Sequence, residues 1–126
     1  MFSQKTAKVA ICLLAIGALF LLSFWLAANR PNIIIKYHLD KFIHFFAGGF
    51  VGLLLSQLFR SWGIFGIVIF SVFVGLGWEA FEYFGHLYFD WPKADLSQYN
   101  YLLDTTVDEI AVALGAYIFL SLTRPE

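Results

Sequence analysis

The chain has one cysteine, Cys12, among its 126 residues. That excludes an intramolecular disulfide and a thiolate metal cluster. Charge is equally scarce. Asp, Glu, Lys and Arg make up 13% of the chain, against about 25% in ordinary soluble domains. The net charge is −1, so there is no basic footprint for a nucleic-acid partner. Repeats and low-complexity runs are absent, as are a Walker loop and any Ser-His-Asp spacing. In their place, 60% of residues are hydrophobic, 20% are aromatic, and the mean hydropathy is +0.76. A chain this short buries only about two-thirds of its surface on folding, too little to hide so many Phe, Leu and Ile side chains from water. A water-soluble enzyme, a disordered chain and a disulfide-rich secreted domain are all excluded. What remains is an all-α polytopic membrane protein.

A membrane helix needs about 20 mostly apolar residues. Four segments qualify, at 9–28, 40–59, 64–84 and 103–122, and they predict an up-down bundle forming one transmembrane domain over 1–126. The first has no internal charge. A cleaved signal peptide is the alternative reading, but the apolar run is long for one and Trp25-Leu26-Ala27-Ala28 is a weak cleavage site. Ile33-Ile34-Ile35, too short to cross, is expected at the interface. Four spans put both termini on one side. Lys5, Lys8, Arg60 and Arg124 lie on that side, and Arg30, Lys36, Lys41 and Lys93 on the other. The first helix breaks this tie, since Lys5 and Lys8 precede it, and places both termini in the cytoplasm. Trp91, Tyr99 and Tyr101 suit an aromatic belt on the far side.

The acidic residues are concentrated. Six of the nine (Asp40, Glu79, Glu82, Asp104, Asp108 and Glu109) lie at or inside predicted spans. His44 falls in the second span and His86 just beyond the third. Ionisable groups at membrane depth are costly, by roughly 2.5–3.5 kcal/mol each on insertion scales, and mark function. With alternating spans, these residues all fall at the face opposite the termini. Asp40 and His44, Glu82 and His86, and Asp104 and Asp108 are spaced i,i+4, and Glu79 and Glu82 i,i+3, so each helix carries one polar stripe. Glu109 is turned about 100° from Asp108 on the helix and is expected to face elsewhere, its replacement by Gln being nearly neutral. Asp40 and Asp104 also suit helix N-termini, and His86 an interfacial position.

Such a cluster needs compensation, because like charges at close range disfavour one another. Protonation, pairing with Lys41 or Lys93, and a divalent cation each provide it. Oxygen and imidazole ligands at these helical spacings are how bundles hold metals, and they suit Zn, Mn or Fe. The candidate ligands are His44, Glu79, Glu82, Asp108, Asp104, Asp40 and His86, with Glu79 and Asp108 as candidate catalytic bases. Gly48 and Gly52, with Gly49, and Gly115-Ala116 read as helix-packing sites.

The same residues carry a family resemblance. Asp40-Lys41-Phe42-Ile43-His44-Phe45, followed by Gly48-Gly49, resembles the D-K-x-x-H-F opening of the VanZ-like membrane proteins. Trp78-Glu79-Ala80-Phe81-Glu82 and Asp104-Thr105-Thr106-Val107-Asp108, ending at Gly115-Ala116, resemble the W-E-x-x-E and D-T-x-x-D…G-A segments of a related branch, the YjdF-like proteins. The match spans about 38–117. Many VanZ-like members have Asn where this chain has Val112. The resemblance implies a multi-pass protein of the bacterial cytoplasmic membrane. VanZ-like proteins are associated with resistance to the glycopeptide teicoplanin, so an envelope-related role and a glycopeptide or lipid-linked ligand are what it implies for partners.

Three function classes follow. A binder would hold an ion, a lipid headgroup or an envelope ligand at the outer leaflet. A metal-assisted enzyme would act on a lipid or lipid-linked substrate. A transporter is the weakest reading, because the polar residues stop about two turns into the membrane. Membrane lipids are partners in every case, and self-association is left open. The topology is testable by labelling. Ser97→Cys should react with an impermeant thiol reagent applied from outside while Cys12 stays unlabelled. Reaction only after lysis would turn the polar cluster toward the cytoplasm and remove the envelope reading.

Overall fold

The structure is a computed structural model and describes residues 3–91 and 98–124, without the side chains of 98–100. Lys93 and Ser97, and the side chain of Tyr99, lie outside the described residues. The described residues form five helices and no strand: α1 (Gln4–Asn29), α2 (Pro31–Tyr37), α3 (Leu39–Leu58), α4 (Ile64–Tyr88) and α5 (Gln98–Thr123). All but α2 are long and apolar enough to cross a membrane. The protein is an all-α polytopic membrane protein.

Local chemistry sets the helix ends. Ser3 caps α1 by accepting from the Thr6 N–H, as an N-cap hydroxyl does. The Asn29 amide donates to the Trp25 carbonyl at 2.9 Å. Pro31 then starts α2 at a position where no N–H is needed. Ile33-Ile34-Ile35 thus belongs to a short helix. His38, at φ 50°, ends α2 and also serves as the N-cap residue of α3. Asp40 is therefore in the first turn of α3 and not its cap. Three helices exceed their predicted lengths, α1 by starting at Gln4 rather than at residue 9. Helix α4 runs on to Tyr88, which brings His86 inside its last turn. Helix α5 begins at Gln98, five residues before the predicted start, so Asp104 lies in its second turn and cannot be a cap.

Contacts give the packing direction. Lys41 meets Asp104 and Asp108, Gly48 faces Val112, and Gly52 faces Ala116, so α3 and α5 run parallel. Helix α4 runs against both, with Glu79 beside Thr105 and Gly75 beside Glu109. The α3–α5 contact is the tightest. A Cβ on Gly48 would lie 2.6 Å from Val112 Cα, and one on Gly115 would strike the Phe45 carbonyl. Small residues of this kind let membrane helices touch along their backbones. Leu55, Ile67 and Leu120 form a dry core at the terminus end of the bundle. There the Arg124 guanidinium donates to the Trp62 carbonyl at 2.8 Å, tying α5 to the α3–α4 turn.

Helix α1 packs along α3 but does not approach α4 within 8 Å between Cα atoms. Only side chains bridge that gap. Phe20 meets Trp78 edge-on at 5.0 Å, and Phe24 meets Trp91 at 6.2 Å. Trp91 thus folds inward over Gly85 and does not extend into a lipid-facing belt. Leu14, Phe65 and Leu122 are among the many large apolar side chains that face outward, as lipid contact requires.

The glycine contacts make a stability prediction. Gly115→Ala should force α3 and α5 apart and cost about 1–3 kcal/mol, the range for overpacking. Gly17, which has nothing within 4 Å, is the control, and Gly17→Ala should leave thermal unfolding in detergent unchanged or slightly raised.

Candidate functional site

The close α3–α5 approach brings the N-terminal turns of both helices level with the C-terminal turns of α4. Lys41 is the centre of one group. Its ammonium lies 2.7 Å from Asp40 Oδ2, donates to Asp104 Oδ1, and sits 2.8 Å from Asp108 Oδ1. The Asp108 contact is an ion pair without hydrogen-bond alignment, which leaves Asp108 Oδ1 buried and formally without a hydrogen bond. One ammonium therefore serves three carboxylates. Of the two lysines that the sequence offers as partners, Lys41 is the one that the described residues place here.

A second group adjoins the first. His44 Nε2 lies 3.5 Å from Glu79 Oε1 and 3.7 Å from Asp108 Oδ2. Glu79 is also held by the Thr105 hydroxyl, which donates to its Oε2 at 3.3 Å. Asp108 is 3% exposed and Glu79 is 8% exposed. Glu79 Oε1, facing the imidazole, has no hydrogen-bond partner among the described residues. Asp108 thus divides its carboxylate, one oxygen toward Lys41 and the other toward His44.

Two sets of three ligand atoms lie within 4.8 Å of one another: His44, Glu79 and Asp108, and Asp40, Asp104 and Asp108. The second set already surrounds an ammonium. The first touches that ammonium only through Asp108. Bonds of about 2.0–2.2 Å from a metal place tetrahedral ligand atoms roughly 3.4 Å apart, and the His44 separations of 3.5 and 3.7 Å match that spacing. The mixed imidazole and carboxylate donors suit Zn, Mn or Fe.

The remaining candidates are placed elsewhere. Glu82 and His86 line a small cavity of about 30 Å³ against α1, with Trp78 and Trp91. His86 Nδ1 lies 2.9 Å from the Trp91 carbonyl. They share the polar end of the bundle but belong to neither ligand set. Glu109 does turn away from Lys41 and His44, as its spacing requires. It is nevertheless 9% exposed, lies against Gly75 of α4, and has no partner for either oxygen among the described residues. The sequence carried one signal of this burial: Gly75 is the glycine that leaves room for it. Thr105 was present in the D-T-x-x-D segment without a role, and its hydroxyl is what orients Glu79.

A family model, described as a predicted membrane protein family (DUF2238), matches residues 3–124. The chain belongs to the DUF2238 family. YjdF-like proteins, which two of the three motifs resemble, are of this family. The match takes in α1, which the motif resemblance left out. No curated protein and no solved structure matches the chain.

The geometry of this DUF2238 member separates the roles of its acids. Asp108→Asn should cost about 3 kcal/mol, the range for breaking a buried ion pair by removing one partner. Asp104→Asn, at a side chain 29% exposed, should cost less. Lys41→Met should be the most damaging, since three carboxylates would then face one another. Glu109→Gln keeps the shape of the side chain and removes a carboxylate that has no partner, so thermal stability should hold or rise. A loss equal to that of Asp108→Asn would give Glu109 a charged role that its surroundings do not supply.

Proposed function

We propose that this is a cation-binding membrane protein of the bacterial cytoplasmic membrane. In this reading His44, Glu79 and Asp108 hold a divalent ion of the Zn, Mn or Fe class at the outer leaflet, with both termini cytoplasmic. Through that ion the protein binds a lipid headgroup or an envelope-related ligand. The observation that carries the reading is the pair of buried carboxylates, Glu79 and Asp108, aimed at one imidazole, with a single ammonium, Lys41, reaching the pair only through the far oxygen of Asp108. Lys41 offsets one charge among Asp40, Asp104, Asp108 and Glu79, and a divalent cation offsets two more. Three protein ligands leave a position open for an outside group, as in metal sites that take a ligand. The D-K-x-x-H-F resemblance supports an envelope role and, by that resemblance, makes a glycopeptide or lipid-linked molecule a candidate ligand.

A metal-assisted enzyme acting on a lipid is the second reading. It is favoured by an apolar cavity that ends on His44, where a substrate chain would lie beside the triad. A bound ion would polarise a phosphoryl or acyl oxygen. Glu79 or Asp108 would take a proton from the attacking water.

Metal analysis of the detergent-purified protein tests the first reading, followed by calorimetric titration with Mn²⁺ and Zn²⁺. One ion per chain is expected, lost in His44→Ala and in Asp108→Asn and kept in Glu82→Gln. Uptake no greater than that of His44→Ala would overturn it. Metal-dependent lipid hydrolysis in nanodiscs by the wild type but not by His44→Ala would make the protein an enzyme rather than a binder.

A further inference from the structure

A cavity of about 110 Å³ lies between α1, α3 and α4. Leu19 and Phe20 of α1, Ala47 and Val51 of α3, and Val74 and Trp78 of α4 form its walls, and His44 is at its polar end. Of the two hydroxyls in its lining, that of Ser71 is already spent on the Ile67 carbonyl at 2.9 Å, which leaves Ser23 and His44 as its polar groups. Water needs two to four polar partners to occupy such a space, and an apolar cavity of about 150 Å³ stays dry and takes hydrocarbon. A drug-sized ligand needs about 300 Å³ or more, so this volume fits a length of chain and not a whole molecule. Access is lateral. The α1 and α4 backbones stay more than 8 Å apart, and the side chains between them, Phe20 and Trp78, touch only edge-on. What surrounds that gap in a membrane is lipid.

We propose that the α1–α3–α4 cavity is a binding subsite for one acyl chain of a membrane phospholipid, which enters between α1 and α4 and ends at His44. The chain site stands on the cavity alone. Only the delivery of the lipid's phosphate head to the triad rests on the cation reading above. The occupant is a chain and not a polar solute, because His44 is the one ionisable group that the cavity meets. It is a bilayer lipid and not a second copy of the protein, because the opening is a slot between two spans and leads to a space smaller than a helix. The subsite would thereby select ligands by an apolar tail and hold the head within reach of the open metal position.

Trp78 reports directly on occupancy. Two single-tryptophan proteins are needed. One keeps Trp78, with Trp25, Trp62 and Trp91 replaced by Phe. The other keeps Trp25, which is 54% exposed, as the reference for general lipid contact. One equivalent of brominated phosphatidylglycerol is added in maltoside micelles, where dilution into detergent leaves only specifically bound lipid near the protein. Quenching of Trp78 should exceed that of Trp25 by roughly two-fold or more if the site is mostly filled. Ala47→Phe and Val74→Phe fill the cavity from two different helices, and each should abolish the excess while thermal unfolding remains cooperative. Equal quenching of Trp78 and Trp25 would overturn the proposal, as would undiminished quenching in either folded variant. The Trp78 signal should survive a chelator. Quenching without metal uptake would therefore leave the chain site standing and remove the cation reading, and metal uptake without quenching would do the reverse.

Discussion

Helices α3 and α5 lie close enough for one ammonium to reach three carboxylates because Gly48 and Gly115 carry no side chain at the crossing. The rest of the polar end depends on that contact. It fixes the relative height of two parallel helices, so that Lys41 on one is level with Asp104 and Asp108 on the other. It also turns His44 toward Asp108. Helix α4 then adds Glu79 from the opposite direction, positioned by Thr105.

In a bilayer this order of events matters, because apolar burial does not drive helices together where the surroundings are as apolar as Leu. The exposed Leu, Ile and Phe side chains of α1 and α4 hold the helices in the membrane and say little about which faces meet. Packing of small residues and pairing of polar ones decide that. Here both act at the same interface. The glycine contact runs through the middle of α3 and α5, the Lys41 group lies at one end, and the Leu55–Ile67–Leu120 core with the Arg124 tie lies at the other. A buried ion pair returns little net stability against its desolvation cost. Three carboxylates around one lysine, with Glu79 beyond them at His44, are therefore poorly explained by folding alone.

Helical periodicity carried much of this information. The alternation of spans put the acids and histidines at one face, and i,i+4 spacing placed Asp40 with His44 and Asp104 with Asp108. The structure adds what periodicity lacks, the identity of the neighbour that each stripe faces. A spacing rule fixes the angle of a side chain about its own helix axis and not the rotation of that helix within the bundle. Glu79 and Glu82 are three residues apart on one stripe, yet one turns to His44 and the other to the α1 side with His86. Glu109 lies off the stripe, as its spacing requires, but its burial comes from Gly75 on another helix. The early start of α5 was hidden for a different reason. Residues 98–102 are polar and aromatic, too weakly apolar to read as membrane, yet they contain no helix breaker.

Asp108 is the point at which the two halves of the site become one. Its Oδ1 is committed to Lys41, whose charge is divided among three aspartates, and its Oδ2 is turned to His44. A carboxylate shared in this way cannot satisfy a change on one side without altering its pull on the other. A cation received at His44 and Glu79 would draw Asp108 toward itself and leave more of the Lys41 charge for Asp40 and Asp104, the two partners nearer to solvent. Under the cation reading, the lysine group would act as a charge reserve next to the triad. It holds Asp108 in place, yet leaves Glu79 with only the His44 imidazole and the Thr105 hydroxyl beside it. A neutral residue at position 41 would remove that restraint, and an added acid would have no counter-charge. The architecture therefore needs both its lysine and its surplus of carboxylates, and the surplus is the part that points beyond structure to a ligand.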